Sequence, residues 1–515
     1  MKKLFNILAI IATIGLLFTS CDLDKYPNDQ FDIKDAYTTV EDARYHRNGV
    51  LARLRSSRFG IYAQTSELMS DLFNATTNYG NNQGPVHRVE LGMLTDADNV
   101  GALWSGCYGG INTANIFLDN VGMVPLSTAS DSAAIKQYKA EARYVRAFIY
   151  YVLITYFGED YEPTGDREAY SVPGVPIVTK FDIDARPVRP SLGDVYDFIL
   201  NELEEIEPMF TPGGKSNSED ITQDAILALK SKIQLLMHDF DGALITANRL
   251  INSGRYPLVA DGAAYRRMWV NDESTEDILT LFASVNEPVD NMATFSNYNQ
   301  GYTDQVGIPV YVPNYIPTKK VVDTLYANTN DYRSQVFILN GSGNSIFVLI
   351  SGEKEEVKLL NKFPGNPALW TANYTNYQHK PKVARIAEQY LIAAEALSHS
   401  DKGAALAMLN KLRANRGVAN LTTWSNDNHE LQDEWAREMI GEGVRLECLK
   451  RWRVGYAGRK SQDGGTVATV QGADFTLRVM DPNNPDWYRF TLPIPQADLQ
   501  TNLNMEQTPE WVNPQ

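Results

Sequence analysis

DSAAIKQYKAEARYVRAFIYYVLITYFGEDYEPTGDREAYSVPGVPIVTK, residues 131–180, decides the architecture. Ile135, Tyr138, Ala142, Val145, Phe148, Val152 and Tyr156 recur every three or four positions, which places them on one face of an α-helix. The spacing predicts a helix of about six turns or more, capped by Asp131 or Ser132 and ended by Gly158. Glu141, Arg143 and Arg146 interrupt its middle. Two cations there require acidic partners from elsewhere in the chain, or a solvated edge.

Working outward, LWSGCYGGINTANIFLDNV (103–121) places Trp104, Tyr108, Ile111, Asn115 and Leu118 on one helical face. Ser66–Gly84 begins helical and dissolves into Asn and Gly, which predicts a surface loop with Tyr79 near its tip. Downstream, Pro187 and Pro190 break the chain and Ser191 caps the next helix. ITQDAILALKSKIQLLMHDF and DGALITANRLINSGRYPLV (221–259) then read as a helical hairpin, with small Ala225, Ala228, Ala243 and Ala247 allowing close approach. KVARIAEQYLIAAEAL, SHSDKG and AALAMLNKLRANRG (382–417) repeat the pattern. Such pairs build a tetratricopeptide-like array, although the strict repeat consensus is absent.

Between the hairpins, from about residue 272 to 380, periodicity fails, and only short runs such as Ser345–Ile350 read as strand. A long irregular region inside a compact protein is usually functional. Helix returns at HELQDEWAREMIGEGVRLECLKRW (429–452), and YRFTLPIPQADLQTNLNMEQTPEW (488–511) reads as a Pro-punctuated coil that wraps the body.

The 515 residues are 43% hydrophobic and 21% charged, which speaks against extensive disorder. A net charge of −16 argues against a nucleic-acid or anionic-membrane surface, since either needs clustered Lys and Arg. MKKLFNILAIIATIGLLFTSC (1–21) has a basic start, an apolar core too short for a membrane span, then small residues before Cys21. It resembles a bacterial lipobox, with Phe18 where Leu is usual, and implies removal of residues 1–20 and lipidation of Cys21. A cleaved signal on a freely secreted protein is the alternative. Residues 21–32 then read as a tether. Cys107 and Cys448 read as buried small residues, a mutual disulfide being the alternative.

AEARYVRAFIYYVLITYFGE followed by GVPIVTK is similar to the signature of the SusD/RagB family of outer-membrane nutrient-binding lipoproteins. LDKYPNDQF, the order Trp104, Tyr108, Ile111, Ala114–Asn115, REMIGEGVRLECLKRW and LPIPQADLQTNLNMEQTPEW resemble further words of that family, in its order. Ile440, Gly441 and Cys448 depart from its usual residues. The resemblance implies a mainly α, tetratricopeptide-like fold with a large loop-rich insertion, a single body over 33–515 whose N-terminal part runs to about 215. It also implies a non-catalytic, surface-exposed protein anchored to the outer membrane. Its partners would be an oligosaccharide or other nutrient and a SusC-like TonB-dependent transporter on which it sits as a lid.

A surface glycoside hydrolase is the alternative, since two suitably placed carboxylates suffice for that chemistry and 63 acidic residues offer many pairs. No HExxH, G-x-S-x-G or helix-opening G-x-G-x-x-G is present, and the GGKS at 213–216 lacks the first Gly of a phosphate loop. The six His have no helical metal-ligand spacing, so neither metal nor cofactor is expected. Arg445, Arg451 and Arg453 with Glu438, Glu442 and Glu447 read as a structural ion network on a helix rather than a catalytic cluster.

Tyrosine is abundant, 27 residues, and crowds among Asn, Gln and Gly inside the irregular region. An aromatic face is an apolar platform for the C–H face of a sugar ring, and neighbouring amides exchange hydrogen bonds with hydroxyls. Tyr79, Tyr298, Tyr302, Trp370 and Tyr374 combine an aromatic ring, a stretch without helical period and nearby amides, and are the expected ligand contacts. The same side chains also suit peptides. Trp104 shares helical spacing with Tyr108 and Ile111 and is expected in the core.

Overall fold

The computed structural model describes residues 35–58, 60–90, 98–161, 172–289, 301–303, 307–341, 346–370, 377–462 and 479–512. The helices of eight residues or more are α1 (Val40–Ser57), α2 (Ile61–Leu68), α3 (Asp98–Asn120), α4 (Ala129–Phe157) and α5 (Leu192–Ile206) in the N-terminal part. α6 (Gln223–Leu236), α7 (Phe240–Ile251), α8 (Gly262–Val270), α9 (Ile386–Ser398), α10 (Lys402–Ala414), α11 (His429–Met439) and α12 (Arg445–Trp452) follow.

α4 is the 29-residue helix that the period predicts, packed against α1, α3 and α5. Its cap is Thr128 rather than Asp131 or Ser132: the Thr128 hydroxyl accepts from the Asp131 N–H, and the Asp131 carboxylate accepts from the Thr128 N–H. Asp131 is thus the third residue of a capping box. The cations of α4 find their acids on a neighbouring helix. Arg143 Nη2 and Arg146 Nη2 each lie 2.7 Å from one oxygen of Glu202 on α5, and Glu141 pairs with Arg47 of α1.

The hairpins form as α6–α7 and α9–α10, with Ala243 and Ala247 of α7 fully buried in the small repeat core beside Ala387 and Ala394 of α9. Cys107 and Cys448 are buried free thiols. Two expected helices are shorter than the sequence suggests. Lys382–Arg385 is a strand, and the 429–452 segment breaks between α11 and α12, where Gly441 and Gly443 take φ of +79° and +75°. A Cβ on Gly443 would fall 2.7 Å from the Ala63 Cα, so α2 packs directly on that backbone.

The short strands are β1 (Phe73–Ala75), β2 (Asp277–Thr280), β3 (Gly301–Thr303), β4 (Pro309–Tyr311), β5 (Tyr315–Pro317), β6 (Ile338–Asn340), β7 (Phe347–Ile350), β8 (Glu353–Lys354), β9 (Lys358–Leu360) and β10 (Lys382–Arg385). β10 pairs antiparallel with β2, closing the two ends of the insertion. β3, β4, β7 and β8 form one small sheet, β4 and β7 running parallel. β1 pairs with β5, Asn74 opposite Ile316. That pairing overturns the expected surface loop at 66–84, because it draws Ser66–Thr76 into the interior.

Candidate functional site

The irregular insertion is held at its base by buried polar side chains. Asn366 caps the short turn Pro367–Leu369, its side-chain oxygen accepting from the Ala368 N–H at 3.0 Å. Its amide nitrogen donates to the Asn271 carbonyl at 3.0 Å and to Asp272 Oδ2 at 2.9 Å. Asp272 also accepts from the Lys380 N–H and from Lys382 Nζ, each at 3.1 Å. Burial opposes ionisation of Asp272, yet the Lys382 ammonium and these donors hold its carboxyl below the usual range. The turn ends at Trp370, whose side chain is 40% exposed. Gly365, at φ +84°, lets Trp370 and Tyr377 close over it: an added Cβ would lie 3.0 Å from Trp370 Nε1 and 2.8 Å from the Tyr377 Cα.

A second fastening lies beside the first. The buried side chain of Gln378 accepts from the Val289 N–H at 2.8 Å and donates to the Val289 carbonyl at 2.6 Å. The Gln378 carbonyl in turn accepts from the Asn366 N–H at 2.6 Å. Val289 and Gln378 stand next to the two stretches of sequence that carry Tyr298 and Tyr374. Tyr298 and Tyr374, like Cys21, lie outside the described residues. Tyr302 sits on β3 opposite Val310, its side chain outside the description.

Tyr79 departs from expectation. It is only 3% exposed, packed edge-on against Tyr315 with centroids 6.2 Å apart, and its hydroxyl accepts from Arg88 at 3.0 Å. Asn78 Nδ2 donates to the Leu349 carbonyl at 2.7 Å and Asn78 Oδ1 accepts from the Ser351 N–H at 2.9 Å, which pins this turn to the insertion. A ring so enclosed offers no face to a ligand. Trp104 is core as expected, 3% exposed and edge-on to Phe157 with centroids 4.9 Å apart.

The residues missed by sequence reasoning are those that position the site: Asn366, Asp272, Lys382 and Gln378. Their one signal is a polar side chain in an irregular stretch, which solvent-facing loop residues share.

The ionic cluster is larger than one helix. Glu438 receives Arg385 Nη1 at 2.8 Å, Arg416 Nε at 3.0 Å and Arg333 Nη1 at 3.2 Å, all four side chains buried. Arg445 grips Asp71 with Nε at 2.8 Å and Nη2 at 3.0 Å, Arg451 pairs with Glu395 at 2.7 Å, and Arg453 pairs with Asp160. Against the cost of burial, the guanidinium groups hold the Glu434 and Glu442 carboxyls down at about 2 and Glu438 lower still. Glu434, Glu438 and Glu442 are thus held ionised and enclosed, as in a structural ion network.

The molecule is therefore a mainly α body of tetratricopeptide-like hairpins, carrying a loop-rich insertion anchored by buried amides. A family model described as "SusD family" matches residues 349–511, and one described as "Starch-binding associating with outer membrane" matches residues 45–235. The SusD-like protein P2 of Formosa agariphila is 24% identical over 98% of this chain and 99% of its own length. The SusD-like protein P38 of the same organism is also 24% identical, over 53% of this chain and 51% of its own. A SusD superfamily protein of Bacteroides thetaiotaomicron superimposes with a TM-score of 0.71 at 22% identity, covering 92% of this chain and 100% of the other. A putative sugar binding protein of Bacteroides vulgatus gives 0.70 at 19% identity, covering 92% and 99%. The chain belongs to the SusD family. Among the described residues no helix is long and apolar enough to cross a membrane.

Proposed function

We propose that this protein is a non-catalytic cell-surface lipoprotein that captures an oligosaccharide and passes it to a TonB-dependent outer-membrane transporter as its lid. The half-exposed Trp370 indole, mounted on the Asn366–Asp272 anchor beside the Gln378–Val289 fastening, carries the binding reading. It is an exposed apolar face inside the irregular region, as sugar stacking requires. The family description as starch-binding at the outer membrane, and the sugar-binding name of a structural relative, support the same ligand class. The lipid on Cys21 and the barrel partner rest on the family resemblance. Tyr298, Tyr302 and Tyr374 are proposed as further contacts.

Stacking on one ring is worth on the order of 1 kcal/mol, so two or three rings give micromolar to millimolar affinity. Weak binding suits a lid that must release its cargo. Calorimetric titration against glycan and peptide panels tests the ligand: saturable glycan binding is expected, and binding of peptides alone refutes it. Turnover of a glycan by the pure protein establishes a hydrolase instead. Pull-down from native membranes tests the lid role, which fails when no barrel protein is recovered.

A further inference from the structure

A cavity of about 370 Å³ opens between α1 and the turn that follows β2. Arg47, Asn48, Leu51 and Arg55 supply one wall from a single face of α1, and Asp220 and Phe282 face them. The volume falls within the range of small-molecule sites. The wall is braced: Arg55 donates to the Phe282 carbonyl at 2.9 Å and pairs with Glu287 at 3.0 Å. Two residues beyond Glu287 comes Val289, and Glu219 on the same rim pairs with Lys380, two residues beyond Gln378. The cavity thus adjoins the fastening that supports Trp370.

Resting on the binding reading above, we propose that this cavity is a second saccharide subsite, selective for an uncharged sugar unit. Phe282 is 48% exposed and offers the stacking face. The hydrogen-bonding groups left over are informative. Arg47 is engaged by Glu141 and Asn48, Arg55 by Glu287 and the Phe282 carbonyl, and Glu219 by Lys380. Both guanidinium charges are already paired with carboxylates, so a uronate or sulfate would have to compete with Glu141 and Glu287 for them. The exposed Asp220 carboxylate and the Asn48 amide nitrogen have no hydrogen-bond partner among the described residues. A carboxylate accepts from two hydroxyls of a neutral sugar and repels an anion, and the amide donates to a ring or hydroxyl oxygen. The cavity therefore presents the stacking face, the acceptors and the donor that a neutral hexose or pentose uses.

Calorimetric titration of the full chain separates the two readings. The probes are neutral glucans, mannans, xylans and galactans, each beside uronate-bearing or sulfated oligosaccharides, and the proteins are wild type, Phe282→Ala, Asp220→Asn and Trp370→Ala. Wild type is expected to bind a neutral oligosaccharide and no anionic one. Phe282→Ala should weaken it about tenfold and Asp220→Asn about threefold, with unchanged melting temperature. Wild-type affinity in both cavity variants alongside loss in Trp370→Ala overturns the subsite and leaves the proposed function standing. Preference for an anionic probe overturns the selectivity, and failure of wild type to bind any glycan removes the binding reading together with the subsite. Should Phe282→Ala unfold, Asp220→Asn still decides, since the Asp220 side chain is exposed, makes no hydrogen bond among the described residues and meets the fold only through its charge near Arg47.

Discussion

Around Glu438, buried charge meets buried charge, with Arg333 of the insertion among its partners; at the base of the 272–380 insertion, the amides of Asn366 and Gln378 meet backbone. Glu438 draws three guanidinium groups from three different elements, whereas Asn366 and Gln378 fasten loop backbone two groups at a time. The first arrangement couples segments far apart in sequence and leaves each charge dependent on all the others. The second holds the base of the insertion, whose own Ile316, Val348 and Leu359 form a separate small core. A frame built one way and a ligand-facing surface built the other have different tolerances to change.

The largest effect should come from breaking the frame. Glu438→Ala leaves Arg333, Arg385 and Arg416 facing one another without their shared acid, and should cost about 3–5 kcal/mol by urea denaturation. A loss below about 1 kcal/mol would show that the network is replaceable.

Acidity sharpens the contrast between carboxylates. Glu434 and Glu442, held down at about 2 from 4.5, contribute stability that is full above the ordinary carboxylate range and is lost as pH falls toward 2. Glu67 runs the other way. Burial pushes its carboxyl up to about 7, although it accepts from the Gly443 N–H at 3.0 Å, so its ionisation costs stability as pH rises from the ordinary carboxylate range to 7. Glu67→Gln should therefore stabilise the fold at pH 8 by on the order of 2 kcal/mol and leave it unchanged at pH 4. Equal melting shifts at both values would disprove the assignment.

Smaller effects belong to the insertion. Asn366→Ala should cost about 1–2 kcal/mol, because it strands the Asn271 carbonyl and the Ala368 N–H. Trp370→Ala should shift the melting temperature least of all while removing most glycan binding. Unfolding of that variant would move the indole from the site to the frame.

The period of α4, its end at Gly158 and the small-residue hairpins were legible because each signal is local and repeats over several turns. The ion partners were not, because Arg445 and Asp71 lie 374 positions apart. Three-residue strands such as β1 leave too few alternations to read, and so Tyr79 was placed on a surface that β5 covers. Lys382–Arg385 reads as the first turn of a helix, yet its backbone pairs with β2 and the Arg385 side chain enters the Glu438 cluster. Of the five expected aromatic contacts the described residues show Trp370 exposed and Tyr79 buried, and the amides at the base of the insertion are indistinguishable from ordinary loop residues before the fold is seen.

The Gln378 side chain meets the N–H and the carbonyl of Val289 much as an antiparallel neighbour would, so one amide stands in for a missing strand. Register at that point is set by a side chain. Sequence changes away from Gln378 and Val289 leave these two hydrogen bonds in place.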